Sequence, residues 1–541
     1  MESLTAAEVV GRTLAELGVR DAFGVLGSGN YIASVALHAA GAAFHHARHE
    51  GGAICMADGY ARVSGRVGVC SVHQGPGFTN AMTGLTEAAK SRTPLLLLAG
   101  EAPAAALRSN FRLDQAGLAT TVGAAAERVY SGESAAEDVA RALRRAQVER
   151  RPVLLSMPLD VQAQPASGAS RSTPALPSPP APSLAAIDEV ATLIAEARRP
   201  VIIAGRGAVL AGAREALEAL GDAIGAVLAT SAMGHGLFAG SPWAVGISGG
   251  FASPVAARLI AESDLVLAFG ASLTRWTTRD GALIDPVAKV VQIDLDPDAA
   301  HRPVDVAVVG DAAVTARELV GAGVRGGGVR SEALAAEIAA GSWRDEPYED
   351  VGGDGFLDPR TLSLALDALL PDDRCVAVDS GHFMGFPPMY LRVPDPAGFV
   401  FTQGFQSIGL GLASGMGAAI ARPDRLVVAC LGDGGALMSL PELETLARLR
   451  LPMLVVIYND AAYGAEVHHF RPQGQPVELV QFPDTDFAAL ASATGARGLT
   501  VRSEEDLAAI EPWLAERDGP LVVDAKITPD FCAEWLEEAF K

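Results

Sequence analysis

Two apolar segments in the C-terminal part of the chain each run into an acidic loop. They read "RLVVACLGDGG" at residues 425–435 and "MLVVIYNDAAYG" at residues 453–464. Short apolar runs of this kind are typical of strands buried on both faces of a parallel sheet. The segment between them, "LPELETLARLR", has helical spacing, and Ser439 and Glu442 fit a capping box at its start. A strand–helix–strand unit would bring Asp433 and Asp460 to the sheet edge at which ligands bind.

The same alternation runs through the rest of the chain. "VGVCSV", "TNAMTGLTEAAK" and "PLLLLAG" follow one another at residues 67–100, and "PVIIAG", "AREALEALGDAI" and "AVLAT" do so at residues 200–230. Short strands separated by amphipathic helices form βαβ units with parallel sheets. The sequence therefore predicts the α/β class, with three doubly wound parallel-sheet domains.

Composition marks the domain boundaries. Residues 164–183, "QPASGASRSTPALPSPPAPS", are rich in proline and serine, and residues 321–331 are rich in glycine. Such stretches favour extended connections. We therefore expect an N-terminal domain at 1–165, a linker at 166–183, a central domain at 184–325, a second linker at 326–355 and a C-terminal domain at 356–541.

The first and third domains also resemble each other. Both contain an apolar strand, a Gly-x-Gly turn, a helix and a second strand led by proline, at Pro94 or Pro452. The spacing from turn to proline differs by one residue, which favours an internal duplication over coincidence in βαβ construction.

Charge and cysteine usage limit the function classes. A net charge of -22 disfavours nucleic acid as a partner. The five cysteines contain no CxxC pair, which suits reduced, buried thiols and a cytoplasmic protein. The N-terminal segment lacks signal-peptide features, and no apolar run reaches the roughly 18 residues of a membrane span. We therefore expect a soluble protein that binds neither nucleic acid nor membrane.

The acidic loops suit a metal and a phosphate. Carboxylate oxygens are ligands that Mg²⁺ prefers, and Mg²⁺ held by few protein groups usually also binds phosphates. The glycines at 432, 434 and 435 would let the backbone approach such a ligand closely. The alternative is that Gly-Asp-Gly is a tight turn and Asn-Asp an ordinary loop.

Gly-Asp-Gly followed by "YND" resembles the signature of thiamine diphosphate (ThDP) enzymes, and the domain order resembles the superfamily of acetolactate synthase, pyruvate decarboxylase and benzoylformate decarboxylase. The resemblance implies ThDP and Mg²⁺ as cofactors, a pyrimidine-binding first domain and a diphosphate-binding third domain. It assigns Asp433, Asp460 and the carbonyl of Ala462 to the metal. The family usually has Asn where this chain has Asp460, and a shifted register would make Asn459 the ligand instead.

Further cofactor residues follow from the same resemblance. In "HHARHEGGAICMADGYAR" it assigns Glu50 as the acid that activates the cofactor, and in "QSIGLGLASG" it assigns Ile408 as the apolar prop beneath it. The remaining assigned positions lie in "DSGHF" and in "AAYG": Ser380, Gly381, His382, Tyr463 and Gly464. Relatives build the site from two subunits, so the resemblance also implies a homodimer or homotetramer.

The residues facing the substrate resemble several relatives at once. Ser28 and His73 match catalytic positions of benzoylformate decarboxylase, and Glu466 matches one of pyruvate decarboxylase, although each also fits a structural residue. Benzaldehyde lyase has its histidine where this chain has Gly29. Four further positions carry no assigned role and could shape the pocket or an interface: Trp276, Thr277, His468 and His469.

The expected activity is decarboxylation of a 2-oxo acid, carboligation to an acyloin or acetolactate-like product, or both. Cleavage of an acyloin and a noncatalytic ThDP-binding role are the alternatives. The central "AGRGAVLAG" lacks a full dinucleotide fingerprint, so FAD is not expected. The sequence does not identify the substrate.

Overall fold

A computed structural model describes residues 4–166 and 175–539 of the chain. Within those residues, three six-stranded sheets are parallel throughout, and helices connect their strands. The predicted α/β class with three parallel-sheet domains is confirmed. Part of the predicted first linker, residues 167–174, lies outside the described residues.

The first sheet has the strand order β3-β2-β4-β5-β7-β6, and β1 pairs separately with β8 in antiparallel fashion. The elements of this part of the chain are β1 Leu4–Thr5, α1 Ala6–Glu16, β2 Asp21–Gly24, α2 Tyr31–Ala39, β3 Ala43–His46, α3 Glu50–Ser64, β4 Gly68–Val72, α4 Pro76–Asn80, α5 Met82–Lys90, β5 Leu95–Glu101, α6 Gln115–Thr121, β6 Ala125–Arg128, α7 Ala135–Glu149, β7 Pro152–Pro158, α8 Leu159–Gln162 and β8 Pro165–Ala166.

The central sheet has the order β11-β10-β9-β12-β13-β14. Its elements are α9 Leu184–Glu196, β9 Pro200–Ala204, α10 Arg206–Leu210, α11 Arg214–Ile224, β10 Val227–Thr230, β11 Ala244–Ile247, α12 Pro254–Ala261, β12 Leu265–Phe269, α13 Arg275–Thr278, β13 Lys289–Asp294, β14 Val306–Val309, α14 Ala312–Gly321 and α15 Glu332–Ala340. Helix α15 falls inside the predicted second linker, where Ser331 caps it by accepting from the Leu334 N–H. The domain boundaries themselves stay predictions.

The third sheet has the order β16-β15-β17-β18-β20-β19. Its elements are α16 Pro359–Leu369, β15 Arg374–Val378, α17 Phe386–Tyr390, β16 Phe399–Phe401, α18 Gly411–Ala421, β17 Leu426–Gly432, α19 Asp433–Met438, α20 Pro441–Arg448, β18 Leu454–Asn459, α21 Gly464–Phe470, α22 Phe487–Thr494, β19 Arg497–Val501, α23 Glu511–Glu516, β20 Leu521–Lys526 and α24 Glu534–Ala539. Short 3₁₀ segments lie at Ala232–Gly234, His382–Gly385, Pro396–Gly398, Arg471–Gln473, Glu478–Val480 and Glu504–Ile510.

The first and third sheets share one topology. When the six strands of each are numbered along the chain, both sheets read 2-1-3-4-6-5, whereas the central sheet reads 3-2-1-4-5-6. The turns "GPG" and "GDG" both follow the third strand of their sheet. This identity of strand order supports the predicted internal duplication.

Helices α3 and α18 join the first and third domains in one hydrophobic core. Their backbones nearly touch: a Cβ on Gly59 would lie 2.0 Å from the Ser414 carbonyl oxygen, and one on Gly417 would lie 2.0 Å from that of Met56. Only glycine permits this approach. The contact fixes the orientation of the two domains within the chain.

The predicted capping box at α20 is wrong. The Ser439 hydroxyl donates to the Gly435 carbonyl at 3.0 Å, and the Glu442 carboxylate accepts from the His49 N–H at 2.9 Å and the Arg48 N–H at 3.2 Å. Glu442 therefore serves the start of α3, where free N–H groups favour an anion. The contact of Glu442 with α3 thus takes the place of the predicted contact with Ser439 in its own segment.

The remaining sequence predictions concern thiols and membranes. The five cysteines are free, and four of them are buried. No helix in the described parts of the chain is long and apolar enough to cross a membrane.

Candidate active site

Asp433 and Asp460 meet at the C-terminal edge of the third sheet. Strands β17 and β18 are neighbours, with Gly432 opposite Tyr458, so the residues that follow them lie side by side. Both carboxyl groups are buried and lie within hydrogen-bonding reach of each other. Burial, together with the opposing carboxylate, raises the pKa of Asp433, and burial raises that of Asp460. Within residues 4–166 and 175–539, no lysine or arginine forms an ion pair with either.

This pair fits a divalent cation because two buried like charges need a counter-charge. The nearest basic group is His382, whose Nε2 lies 3.6 Å from Asp460 Oδ2. Burial lowers the pKa of His382 to about 4, so its ring is neutral near pH 7. In the described part of the chain no set of three His, Cys, Asp or Glu side chains forms a metal site. Two carboxylates and a carbonyl make the kind of sparse ligand set with which Mg²⁺ keeps water and phosphate ligands.

The side chain of Asn459 is engaged elsewhere. Its Nδ2 donates to Asp524 Oδ1 at 2.8 Å, and its Oδ1 accepts from the Ala461 N–H at 3.0 Å. This geometry favours Asp460 over Asn459 as the metal ligand. The next residues pair with the segment at 480–482, but the two bonds of that bridge use the backbone of Ala461 and Tyr463, not the Ala462 carbonyl.

Glycines keep the surface around the acid pair free of side chains. A Cβ on Gly434 would lie 2.5 Å from the Tyr463 ring and 3.8 Å from Ile408 Cδ1, and one on Gly464 would lie 2.4 Å from Asp460 Oδ2. Ile408 and Tyr463 therefore flank Gly434. A diphosphate could approach the backbone here.

The loop after β15 borders the same pocket. His382 follows Gly381, whose φ of +142° suits glycine. The Ser380 hydroxyl donates to Gln403 Oε1 at 3.1 Å, so it ties this loop to the one before α18. The predicted positions Gly432 and Gly435 adjoin Asp433 on the neighbouring strand end.

Asp379 belongs to this site and was missed from the sequence. Its buried carboxylate accepts from the Gly409 N–H at 2.8 Å and the Leu410 N–H at 3.1 Å, at the start of α18. Burial raises its pKa to about 6 in spite of these bonds. The signal was the acid at the end of the apolar run "CVAVD", which is the first residue of the quoted "DSGHF".

A second cluster lies at the C-terminal edge of the first sheet. Glu50 begins α3, and Asn80 Nδ2 donates to Glu50 Oε2 at 2.9 Å. A Cβ on Gly77 would lie 3.3 Å from Glu50 Oε1 and 3.1 Å from the His73 Cβ, so Glu50 and His73 are neighbours. Asn80 was also missed, although it is the second residue of the quoted "TNAMTGLTEAAK".

The hydrogen bonding of His73 fixes its tautomer. The Gly29 N–H donates to Nδ1 at 3.0 Å, so the ring proton of the neutral form lies on Nε2. Burial lowers the pKa of His73, although the charge of Glu50 opposes the shift. Phe111 packs edge-on against the ring at 5.2 Å between centroids. His73 is therefore a neutral hydrogen-bond donor near pH 7.

Position 29 has no room for a side chain. A Cβ there would lie 1.7 Å from Gln74 Oε1 and 2.9 Å from His73 Nδ1. The adjacent Ser28 is exposed. A histidine at 29, the position that resembles that of benzaldehyde lyase, would require the side chains of Gln74 and His73 to move.

The two clusters remain apart in the single chain. Among the described residues, no hydrogen bond or ion pair joins Glu50 or His73 to the Asp433–Asp460 pair. Glu466 on α21 is exposed, and its neighbour His468 lies 5.4 Å from His382 between ring centroids.

Trp276 and Thr277 line a cavity of about 460 Å³ between the three domains. It also contains Arg92 and Arg150, but these pair with Asp296 and Asp311 respectively. The expectation that FAD is absent stays a prediction.

Comparison with known families matches all three domains. The family described as "Thiamine pyrophosphate enzyme, N-terminal TPP binding domain" matches residues 4–120, its central domain matches residues 187–319, and its C-terminal TPP binding domain matches residues 379–525. Thiamine pyrophosphate is another name for ThDP.

Individual relatives agree over nearly the full length. A probable 2-ketoarginine decarboxylase of Pseudomonas aeruginosa is 32% identical, covering 94% of this chain and 91% of the relative. A sulfoacetaldehyde acetyltransferase of Castellaniella defragrans is 30% identical, covering 94% and 90%. An acetolactate synthase large subunit of Parasynechococcus marenigrum is 31% identical, covering 85% and 78%. The chain belongs to the thiamine diphosphate-dependent enzyme family.

Proposed function

We propose that this protein is a ThDP- and Mg²⁺-dependent enzyme that decarboxylates a 2-oxo acid and passes the remaining acyl unit to a proton or to a second carbonyl compound. The observation that carries the proposal is the buried Asp433–Asp460 pair, which has no cationic partner in the described residues and borders a glycine-lined surface. Relatives named as a decarboxylase, acetyltransferases and acetolactate synthases support the same reaction class.

The residues present fit the cofactor. Asp433, Asp460 and the Ala462 carbonyl would hold Mg²⁺, the surrounding glycines would face the diphosphate, and Ile408 would support the ring system. Bound ThDP supplies a nucleophilic carbon that adds to the substrate carbonyl and accepts its electrons. Glu50, oriented by Asn80, would hold a proton at the cofactor's pyrimidine nitrogen.

The substrate would be contacted by residues of the cluster at the C-terminal edge of the first sheet. His73 can donate a hydrogen bond through Nε2 to a carbonyl or carboxylate oxygen, because Nδ1 is occupied by Gly29. Ser28 lies on the same loop and is accessible. Glu466 is a further candidate for moving a proton, and its exposure in the single chain is compatible with a site between subunits.

Two alternatives predict different results. Acyloin cleavage of the benzaldehyde lyase type is disfavoured because this chain has Gly29 at the position of that enzyme's histidine. A noncatalytic ThDP-binding role is disfavoured because Glu50, the acid assigned to cofactor activation, is retained and its carboxylate is oriented by Asn80.

We further propose a homodimer, alone or within a homotetramer, that joins the two clusters. Exposed apolar side chains lie in both domains: Leu26, Tyr31, Ile32 and Val35 flank or follow the loop that carries Ser28, and Leu437 and Met438 end the helix that begins at Asp433. Exposed apolar surface next to incomplete sites is typical of a subunit interface. The free thiols suit the reducing cytoplasm, where we expect the enzyme to act, without bound flavin.

The test is to load metal-free protein with ThDP and Mg²⁺ and supply a panel of 2-oxo acids, with and without acceptor aldehydes. We expect CO₂ release from at least one acid, with an aldehyde or acyloin as product. Cleavage of acyloins without action on any 2-oxo acid would instead identify a lyase. ThDP binding without turnover on either class would contradict an enzymatic role.

A further inference from the structure

A buried ionic cluster in the first domain has no role in the site described above. Arg62 Nη2 lies 2.7 Å from Asp58 Oδ2 and 2.8 Å from Glu87 Oε1, and all three side chains are almost completely buried. Burial opposes ionisation of Glu87, but Arg62 and the hydrogen bonds around it hold the pKa of Glu87 below its usual value. Glu87 is therefore a buried anion whose position is fixed.

Glu87 also holds the backbone of the third domain. Its Oε1 accepts from the Gly404 N–H at 3.1 Å and its Oε2 from the Phe405 N–H at 2.7 Å. Arg62 Nη1 donates to the Phe401 carbonyl at 2.8 Å. Charge-assisted bonds of this kind, made by both oxygens of a buried carboxylate, hold a segment more firmly than neutral ones.

These contacts fix one end of the segment at residues 402–409, which we call the prop loop because it carries Ile408. Its other end is fixed by Asp379, which accepts from the Gly409 and Leu410 N–H groups. Between the two ends lies Gln406, which adopts a left-handed φ of +63°. The prop loop is thus attached to the first domain on one side of Ile408 and to the third domain on the other.

We propose that Glu87 is a positioning residue that acts through the prop loop to hold Ile408 in place over Gly434. The inference rests on the proposed function, because Ile408 matters only if it supports ThDP. It assigns a role in cofactor geometry to a buried acid that touches neither the cofactor surface nor the metal pair.

The first test uses Glu87→Gln in the full-length protein without cofactor. The variant should fold, because Arg62 keeps Asp58 as its partner and the buried charge is balanced. The amide nitrogen that this substitution introduces cannot accept a hydrogen bond, so one loop N–H loses its partner. We expect hydrogen exchange at Gly409 and Leu410, which are bonded to Asp379 and not to Glu87, to accelerate about tenfold. Unchanged exchange at these two amides in folded Glu87→Gln would overturn the proposal.

The second test is a double-mutant cycle with Ile408→Ala, measured by ThDP affinity in the presence of Mg²⁺ and by kcat. Glu87→Gln is expected to weaken ThDP binding about tenfold in the wild-type background and to have little effect in the Ile408→Ala background, since residues acting through one another are non-additive. If the effects of Glu87→Gln and Ile408→Ala on ThDP affinity were fully additive, Glu87 would not act through Ile408, and the proposal would be overturned.

Two further variants complete the design. Gly404→Ala disturbs the same contact from the side of the loop. Its Cβ would lie 2.5 Å from Ser91 Oγ and 3.2 Å from Glu87 Oε1, so this variant should reproduce the Glu87→Gln effect. Asp138→Asn is the matched control: it alters another buried carboxylate that accepts from a backbone N–H and pairs with an arginine, far from the site. It should leave ThDP affinity unchanged.

The proposal and the function on which it rests can fail separately. Wild-type protein that neither binds ThDP nor turns over any 2-oxo acid would contradict the proposed function, whatever the loop does. Wild-type protein that is active while Glu87→Gln behaves like Asp138→Asn would contradict only the role of Glu87.

Discussion

Single residues decide the electrostatics of the candidate site. Asp460 places a second carboxylate beside Asp433 in a buried pocket, where the resembling enzymes usually have an uncharged Asn. His382, which lies beside Asp460, is kept neutral by burial, so it does not offset the charge. Without a metal, the burial of two neighbouring carboxyl groups lowers the stability of the protein. With a bound metal, the same groups would serve as its ligands.

Asp460→Asn is expected to stabilise the metal-free protein, because it removes one of two buried carboxylates that repel each other. In EDTA its Tm should exceed that of wild type by several degrees, which corresponds to about 1–2 kcal/mol. Thermal unfolding in EDTA and in excess Mg²⁺ measures this, and Mg²⁺ should narrow the difference. A lower Tm for the variant in EDTA would contradict the electrostatic account.

Glu50→Gln is expected to lower kcat at least about a hundredfold, the usual contribution of a positioned proton-transfer group. ThDP and Mg²⁺ should still bind, since the metal ligands are unchanged. Asn80→Ala keeps the carboxylate but removes its hydrogen bond, so its loss of kcat should be smaller. Full turnover by Glu50→Gln would refute the assignment of the activating acid.

Packed helices, rather than loops, hold the starts of α3 and α18 in position beside the Glu50 cluster and the prop loop. Helix α3 starts at Glu50 and packs along α18, which starts just after Ile408 and Gly409. Glu442, on α20, holds the N-terminus of α3. The start of α3 is thus fixed by Glu442 and the start of α18 by Asp379, each from elsewhere in the fold. The positions of Glu50 and Ile408, which lie at or beside these helix starts, are fixed as a result.

Gly59→Ala tests the α3–α18 contact. The added methyl group would lie 2.0 Å from the Ser414 carbonyl oxygen, so the helices must separate, and we expect a loss of about 1–3 kcal/mol in the free energy of unfolding. Urea denaturation measures it. The matched control is Gly321→Ala at the end of α14, where no atom lies within 4 Å of the new Cβ. That variant should be neutral or slightly stabilised.

At the scale of the whole molecule, the duplicated sheets give each chain two half-sites. The first sheet carries Glu50 and His73 at its C-terminal edge, and the third carries Asp433 and Asp460 at the equivalent edge. Within the described residues these groups do not contact each other. Assembly of two chains would let each first domain complete the third domain of its partner.

Mixed dimers test this assembly. Glu50→Gln and Asp433→Asn should each be inactive alone. Co-expressed in equal amounts with different tags, half of the dimers would be mixed, and each mixed dimer would contain one intact site of two, giving about a quarter of wild-type activity. Asp433→Asn co-expressed with a second, differently tagged copy of Asp433→Asn is the control, because every site then lacks the same carboxylate. Recovery no greater than that of the control would show that each site forms within one chain.

The stability of the molecule should fall in mild acid, in part because of His235. Its ring packs against Phe399, its Nε2 is buried, and burial together with the charge of Arg344 lowers its pKa to about 4. The unfolded chain binds this proton near pH 6.5, so the stability that His235 contributes is complete above that pH and is lost as the pH falls toward 4.

We expect the slope to reach about 1 kcal/mol per pH unit for this residue. Urea denaturation of wild type and His235→Gln between pH 7.5 and 5 measures it as the difference between their slopes, since His382 and His468 add to both. Parallel slopes for the two proteins would contradict the assignment.

Periodicity and strand-end chemistry were enough to predict the fold class and to nominate the acid pair and the glycines around it, whereas Glu50 was assigned by the resemblance to ThDP enzymes. These features are local: apolar runs specify buried strands, and parallel strands bring their ends to one edge whatever surrounds them. Glu442 and Asp379 show where this reasoning stops. Glu442 had the spacing of a capping box, yet it binds a helix start nearly four hundred residues away.

The sequence by itself determined the three parallel-sheet domains, the ThDP family and the identity of the acidic loops, because each depends on patterns a few residues long. Only the tertiary structure decided that Asn459 turns away from Asp433, that His73 presents Nε2, that Gln74 and His73 crowd Gly29, and that Glu87 holds the prop loop. Those outcomes depend on which distant groups compete for the same hydrogen bonds and the same space, and that competition exists only in the folded chain.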